Sequence, residues 1–473
     1  MKQTNSALTP FRIAVLTSAV LLLLGIALTI ARGDRVGVRL VRAAPAGETH
    51  STGSLLFQFS AEMDRPSVEE RLLLEPAVAG EWLWNGPTLR FKPTLPWPPG
   101  ESYTVTLSAG ASSRWGRPML QEARLEFHIR QPRVLWLGPA DQPPYQIYIA
   151  EIDAPENAQP LTDVPGGVYD FTVSSDGLQL VYSAATAPGE PHELFLLDLA
   201  SAAHHQLSQC ALEDADCTRP VWRPGRRQLV YERVELNRQL AEVSASPTRI
   251  WLMDLTGTPR TRPLFSDNQQ LGHSPQWSAD GSTLAIFDPS FPEAGIVVLQ
   301  PDRGEDAQFI PSNSGSAGGL SPDGSRIFYP EIQVLGDTVR TILRQAVLEE
   351  AVITDFTPAN LAVDDTAAVW HPDGRRLLLL RRYDGERWTH SPQLYLLDLP
   401  TDEMQALVFD GHYNVSDLSW DAAGTMILMH RFPILDESGQ YNSAGLPEIW
   451  WYEVESGTLQ RIARNGFHPR WLP

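Results

Sequence analysis

Residues 466–473 read GFHPRWLP. Elsewhere in the chain a Trp just before a short polar turn opens a repeated unit, as in PQWSADGSTLAIF (275–287) and AVWHPDGRRLLLL (368–380). At the front of the same array, PRVLWLG (132–138), YQIYIAEID (145–153) and AQPLTD (158–163) read as second, third and fourth strands with no first strand before them. One arrangement satisfies both observations. Residues 467–472 pair with residues 132–138, which joins the two ends of the array and removes an exposed sheet edge. Trp471 is then expected to be buried beside that sheet, as Trp277 and Trp370 are beside theirs.

Between these ends the unit recurs. First and second strands are DFTVSSDGLQLVYSA (170–184), PVWRPGRRQLVYER (220–233), PQWSADGSTLAIFD (275–288), GGLSPDGSRIFYP (318–330), AVWHPDGRRLLLLRR (368–382) and DLSWDAAGTMILMHR (417–431). Third strands follow, such as ELFLLDL (193–199), RIWLMDL (249–255) and QLYLLDL (393–399), then a short fourth strand. After residue 330 the third strand is degenerate, TVRTILRQAVL. The period of roughly 43–55 residues suits propeller blades of four antiparallel strands. Asp-Gly forms the first hairpin because both residues tolerate the turn's backbone. The middle strands are apolar on both faces because each blade is covered by a neighbour on either side. Six complete units and one shared unit give seven blades over residues 131–473.

The remaining sequence adds two segments. Residues 13–31, IAVLTSAVLLLLGIALTIA, are long and apolar enough for a bilayer span. A cleaved signal peptide is the rival reading, but its apolar core would be shorter, and the nearest small-x-small site, Ala44-Pro45-Ala46, lies too far downstream. An uncleaved single-pass anchor over residues 1–35 is the expectation, with the body outside the cytoplasm. The flanking charges, Lys2 and Arg12 against Arg32, Arg35, Arg39 and Arg42, do not decide orientation. Residues 36–130 hold short alternating strands: SLLFQFS (54–60), EWLW (81–84), TLRFKP (88–93), SYTVTLSA (102–109) and RLEFHIR (124–130), with Asn85-Gly86 as a hairpin turn. Roughly seven such strands make a β-sandwich. The fold class is therefore all-β, behind one N-terminal helix.

Two resemblances follow from these residues. FQFSAEMDRPSV, GEWLWNGPTLRFKPTLPWPPGESYTVTLSAGASSRWGRPM and LEFHI resemble the bacterial Ig-like domain of the SbsA S-layer type. That resemblance implies a spacer or adhesive module and no catalysis. The repeats are similar to the TolB-type propeller family, whose units carry a Trp-Ser-Pro-Asp-Gly core. It implies a binding platform or scaffold, although the namesake has six blades rather than seven.

The formal net charge of −20 repels nucleic acid and anionic lipid, which makes both poor partners. No Gly-x-Ser-x-Gly elbow, His-Glu-x-x-His, Cys-x-x-Cys, phosphate-binding loop or EF-hand occurs, so neither cofactor nor metal is expected. The repeated Asp176, Asp280, Asp323 and Asp373 read as turn residues rather than a calcium or sialidase-type box. Cys210 and Cys217 fit a short disulfide loop in an oxidising compartment; a metal site with His204 and His205 is the alternative. Three long loops join second to third strands and should share one face: residues 234–248, 382–392 and 432–447. Arg387, Trp388, Tyr441 and Asn442 on them are the candidate contact residues. The functional expectation is a monomeric, membrane-anchored propeller that binds a protein or glycan of the cell envelope. The alternative is an enzyme acting on envelope glycans in the propeller funnel.

Overall fold

A computed structural model describes residues 10–31 and 37–472, apart from 46, 52, 241–242, 267–269, 291, 305–306, 359, 437 and 444. Pro10–Ala31 form one helix of 22 residues. Its side chains are described only at 15 and 17–26, and among the described residues no helix is long and apolar enough to cross a membrane. The rest of the expected span lies outside the described side chains.

The chain divides into two compact units. One takes the described residues of Met1–Thr49, Ser54–Leu95 and Ser102–His128; the other takes His50–Gly53, Pro96–Glu101 and Ile129–Pro473. Among the described residues the smaller unit holds two four-stranded sheets. Leu40–Ala44, Leu55–Phe59, Thr88–Pro93 and Gly80–Asn85 lie side by side in the first. Gly47–Thr49, Ala123–Ile129, Ser102–Leu107 and Leu72–Glu75 form the second. The period-2 pattern sets their inner faces: Leu55, Phe57 and Phe59 are buried, as are Tyr103, Val105 and Leu107. Two details differ from the sequence reading. Asn85 pairs with Thr88, so the two-residue turn is Gly86-Pro87, with Gly86 at φ +55°. A short helix, Arg65–Glu69, begins beside Pro66 and buries Val68; five residues are too few to show a helical period.

The larger unit holds seven four-stranded antiparallel sheets among the described residues. Blade 2 is representative, with Val168–Val173 innermost, then Gln179–Ala185, His192–Asp198 and Ala203–Gln206. The turn between its first two strands explains the recurring motif. Gly177, Gly225, Gly281, Gly324, Gly374 and Gly424 all have φ between 65° and 70°, where a Cβ is disfavoured. Asp176, Asp280 and Asp323 each accept from the Ser hydroxyl two residues earlier at 2.6 Å and from the backbone N–H two residues later at 2.9–3.1 Å. These carboxylates are spent on closing turns.

Alternation along the middle strands places successive side chains in opposite seams. Leu180 and Tyr182 pack toward blade 1, while Val181 between them packs toward blade 3. Seven apolar clusters result, one at each seam between neighbouring blades. Burial of each large aliphatic side chain contributes about 1.5–3 kcal/mol. Three second strands also carry an Arg held by an acidic side chain, from the inner strand in blade 6, from the connection between blades 6 and 7, and from the same strand in blade 3. Arg381 chelates Asp365 at 2.6 and 2.7 Å, and both are buried. Arg431 reaches Asp410 at 2.7 Å and lies over Tyr413, and Arg233 reaches Glu235 at 2.9 Å and lies over Trp251.

Blade 1 takes its innermost strand from Phe467–Leu472, which pairs with Arg133–Gly138 through Leu472 opposite Arg133 and Trp471 opposite Val134. Gln146–Glu151 and Ala154–Pro160 complete it. Leu472 is fully buried in the seam with blade 2. Trp471 packs on the seam with blade 7 but is only partly buried, as is Trp420. Trp222, Trp277 and Trp370 are buried. Blade 5 departs furthest from the repeat. Its inner strand is only Gly319–Leu320, while Arg326–Leu335 and Thr338–Val347 form a hairpin of ten-residue strands.

Candidate functional site

The inner strands converge on the axis of the ring, and they are not regular there. Register shifts interrupt the inner strands of blades 1, 2, 3, 4, 6 and 7 at comparable positions. Four of these bulges hold a non-glycine residue at positive φ: His468 at 55°, Arg219 at 48°, Ser274 at 53° and Asp417 at 50°. Such a backbone costs about 1–3 kcal/mol per residue and re-aims the side chain.

The re-aimed groups form a chain of charges across five blades. Arg470 Nη1 lies 2.8 Å from Asp417 Oδ1. His468 stands between two carboxylates, with Nδ1 3.5 Å from Asp417 and Nε2 2.6 Å from Asp170 in an ion-pair contact. Arg219 lies near Asp170 and 3.6 Å from Glu232, and Glu232 accepts the backbone N–H of Ser274 at 2.7 Å. Blades 7, 1, 2, 3 and 4 are linked in turn. Burial and Arg470 push the His468 imidazole down, but the carboxylates of Asp170 and Asp417 outweigh them and raise it. Burial would raise Asp417, yet Arg470 and His468 hold it well below the usual carboxylate range. Both carboxylates are neutralised by cations at contact distance, an arrangement that secures the ring rather than freeing an acid–base pair.

On the other side of the axis, the inner strands of blades 4 to 7 bound a cavity of about 670 Å³. Trp277, Trp370, Trp420, Thr366 and Asp417 contribute to its wall. Gly318 and Gly319 also line it, at positions where close backbone approach leaves no room for a side chain. A Cβ on Gly319 would lie 2.6 Å from the Ala368 carbonyl oxygen.

The loop residues singled out in the sequence lie elsewhere, on the second-to-third-strand connections of blades 6 and 7. Arg387 sits over the Tyr383 ring at 5.6 Å. Trp388 is half-exposed and meets His390 edge-on at 4.6 Å. Tyr441 is 76% exposed, and the Asn442 backbone N–H donates to Ile434 at 2.8 Å. The blade 5 hairpin ends among the same connections, through Arg340 and Asp384 at 3.0 Å, and exposes Val334 and Val339. Sequence reading passed over it, although Gly336-Asp337 between alternating strands was a turn signal. Cys210 and Cys217 are joined in a disulfide. In place of the alternative metal site, the sulfurs are bonded to each other and His204 lies 2.9 Å from the Tyr182 hydroxyl. No group of three or more His, Cys, Asp or Glu side chains is arranged to hold a metal ion among the described residues.

No protein-family model and no curated protein matches the sequence. Solved structures do. The chain is similar to TolB from Acinetobacter baumannii at 12% identity, over 93% of this chain and 100% of that one, with a TM-score of 0.42. It is similar to an oligogalacturonate lyase in complex with manganese at 17% identity, over 69% and 87%, with a TM-score of 0.47. It is similar to a prolyl endopeptidase at 13% identity and a TM-score of 0.47, over 70% of this chain, and spans 49% of that one. Likeness at this level carries no activity, and the sheets themselves make the larger unit a β-propeller.

Proposed function

We propose that this chain is a membrane-anchored, extracytoplasmic binding protein of TolB-like type. In this reading the smaller unit is an Ig-like spacer, and the propeller takes a protein or glycan of the cell envelope on its second-to-third-strand loops. The observation that carries it is the concentration of exposed large side chains on that face, from Val334 and Val339 of blade 5 through Trp388 to Tyr441. Exposed aromatic groups on loops held by a rigid scaffold supply contact area at low entropic cost. The sealed ion pairs at the axis support binding over catalysis.

The test uses the full chain in detergent, incubated with isolated envelope protein and with isolated envelope glycan. Retention on one of them should fall about tenfold or more in the Trp388→Ala, Tyr441→Ala double variant, with melting unchanged. Equal retention by the double variant and wild type would overturn the reading. The second reading, an enzyme on envelope glycans, rests on the axial cavity. It requires release of reducing ends by the wild type that Asp417→Asn abolishes.

A further inference from the structure

Five inner strands carry a tryptophan at the same place in the repeat, last in four of them and next to last in the fifth: Trp222, Trp277, Trp370, Trp420 and Trp471. Three of them spend the indole N–H within the fold. Trp222 donates to Arg226 O at 2.9 Å, Trp370 to Gly319 O at 3.1 Å and Trp471 to Ser419 O at 3.2 Å. The other two do not. The N–H groups of Trp277 and Trp420 are buried without an acceptor, and so is the Ser419 hydroxyl. All three residues line the axial cavity. An unpaired buried donor destabilises a fold, so native structures leave few of them.

These rings are held in place. Trp420 meets His371 edge-on at 4.6 Å, and His371 is itself within hydrogen-bond distance of Gly424 O at 2.9 Å. The Arg223 guanidinium covers the Trp277 ring at 4.7 Å and is pinned by Asp302 at 2.6 Å. The rings are therefore fixed around one space, with their N–H groups set within its wall. The rest of the wall adds apolar ring surface from Trp370 and Phe328 and the side chains of Gln276 and Thr366. Its one carboxylate, Asp417, is already balanced by Arg470 and His468. The cavity thus offers no free charge of either sign, while the acidic chain as a whole disfavours an anion.

A ligand matching that wall has a flat C–H face, several uncharged hydroxyl groups and a volume within about 670 Å³. We propose that the axial cavity binds a neutral mono- or disaccharide, with Trp277 and Trp420 donating their indole N–H to its oxygens. This site lies apart from the loop face and does not depend on it. The two N–H groups lie within the wall, so engaging them requires a small ring movement that tryptophan emission will report.

The experiment titrates the full chain in detergent with N-acetylglucosamine, glucose, maltose, chitobiose, glucuronate and a tripeptide, read by intrinsic emission and calorimetry. At least one neutral sugar should bind saturably. Its affinity should drop about tenfold in Trp420→Phe and in Trp277→Phe, the effect of one lost hydrogen bond in a buried site. Ser419→Ala provides a milder variant should either Phe substitution unfold the chain, and it too should weaken the sugar. Trp115→Ala, at an exposed ring of the smaller unit, should leave sugar binding unchanged. The proposal is overturned if no neutral sugar binds at millimolar concentration, if glucuronate or the peptide binds instead, or if the folded cavity variants all bind as wild type does.

Discussion

His468 faces Asp170 on one neighbouring blade and Asp417 on the other, so a single imidazole joins the last strand to both of its neighbours. Its protonation is then a stability term with a definite sign. The raised value means that its contribution is present in full below the ordinary imidazole value of 6.5 and is lost as pH rises through the higher folded value. Asp417, held low, works in the opposite sense, and its contribution is lost only in acid. Between about pH 6 and pH 9 the wild type should therefore lose more stability than His468→Gln, by on the order of 1 kcal/mol for a partly exposed pair. Thermal melts of both proteins across that range check it, and parallel profiles would refute the assignment. In the sequence, FHPRWL stood out for its Trp. Nothing local marked His468 and Arg470, because their partners are brought to them by the ring.

At the scale of the element, six of the seven blades are a local solution, a turn glycine at positive φ with strands apolar on both faces. The connections between blades are where the repeats differ. Between blades 2 and 3 the connection is tied by Cys210–Cys217, seven residues apart and both buried. Glu193, also buried, accepts the backbone N–H of Cys210 and of Ala211 at 2.8 Å and fixes the same turn. A loop this short constrains the unfolded chain by roughly 2–3 kcal/mol. Cys210→Ala, Cys217→Ala should melt correspondingly earlier, and reductant should reproduce the shift in wild type but not in the double variant. Identical melting of oxidised and reduced wild type would show that the bond carries no stability. The blade 5 hairpin shows the opposite liberty. Its strands outrun their neighbours, and Asn313 exchanges two hydrogen bonds with the Ile332 backbone to cap one edge.

For the whole molecule, closure is the decisive term. Residues 467–472 form the inner strand of blade 1, bury Leu472 in one seam and place Trp471 against the other. They also carry two of the three cations of the axial network, His468 and Arg470. Removing residues 466–473 would leave two seams open and Asp417 without its counter-charges. The loss should be several kcal/mol, a large part of the about 5–15 kcal/mol that stabilises a typical domain. The deletion variant should aggregate or melt far below the full chain. Melting within a degree or two of it would show that the ring holds without this strand.

Much of this architecture was legible in the residues alone, because it rests on local rules. Asp-Gly turns require positive φ, strands alternate with period two, and a sheet covered on both sides must be apolar on both. Counting those units predicts seven blades and assigns residues 467–472 to the first. The candidate contact residues Arg387, Trp388, Tyr441 and Asn442 were chosen by loop length and residue type, which says where a side chain can be exposed but not what it meets. The axial network and the cavity beside it were not legible. Asp170, Arg219, Asp417 and His468 obey no common motif, and their side chains meet only because bulges at matching positions in separate blades turn them to one axis. The unspent N–H groups of Trp277 and Trp420 look, in sequence, the same as the spent ones of Trp222 and Trp370. Only the packed ring decides which indole finds a carbonyl, since the acceptor belongs in one case to the next turn and in the other to a neighbouring blade.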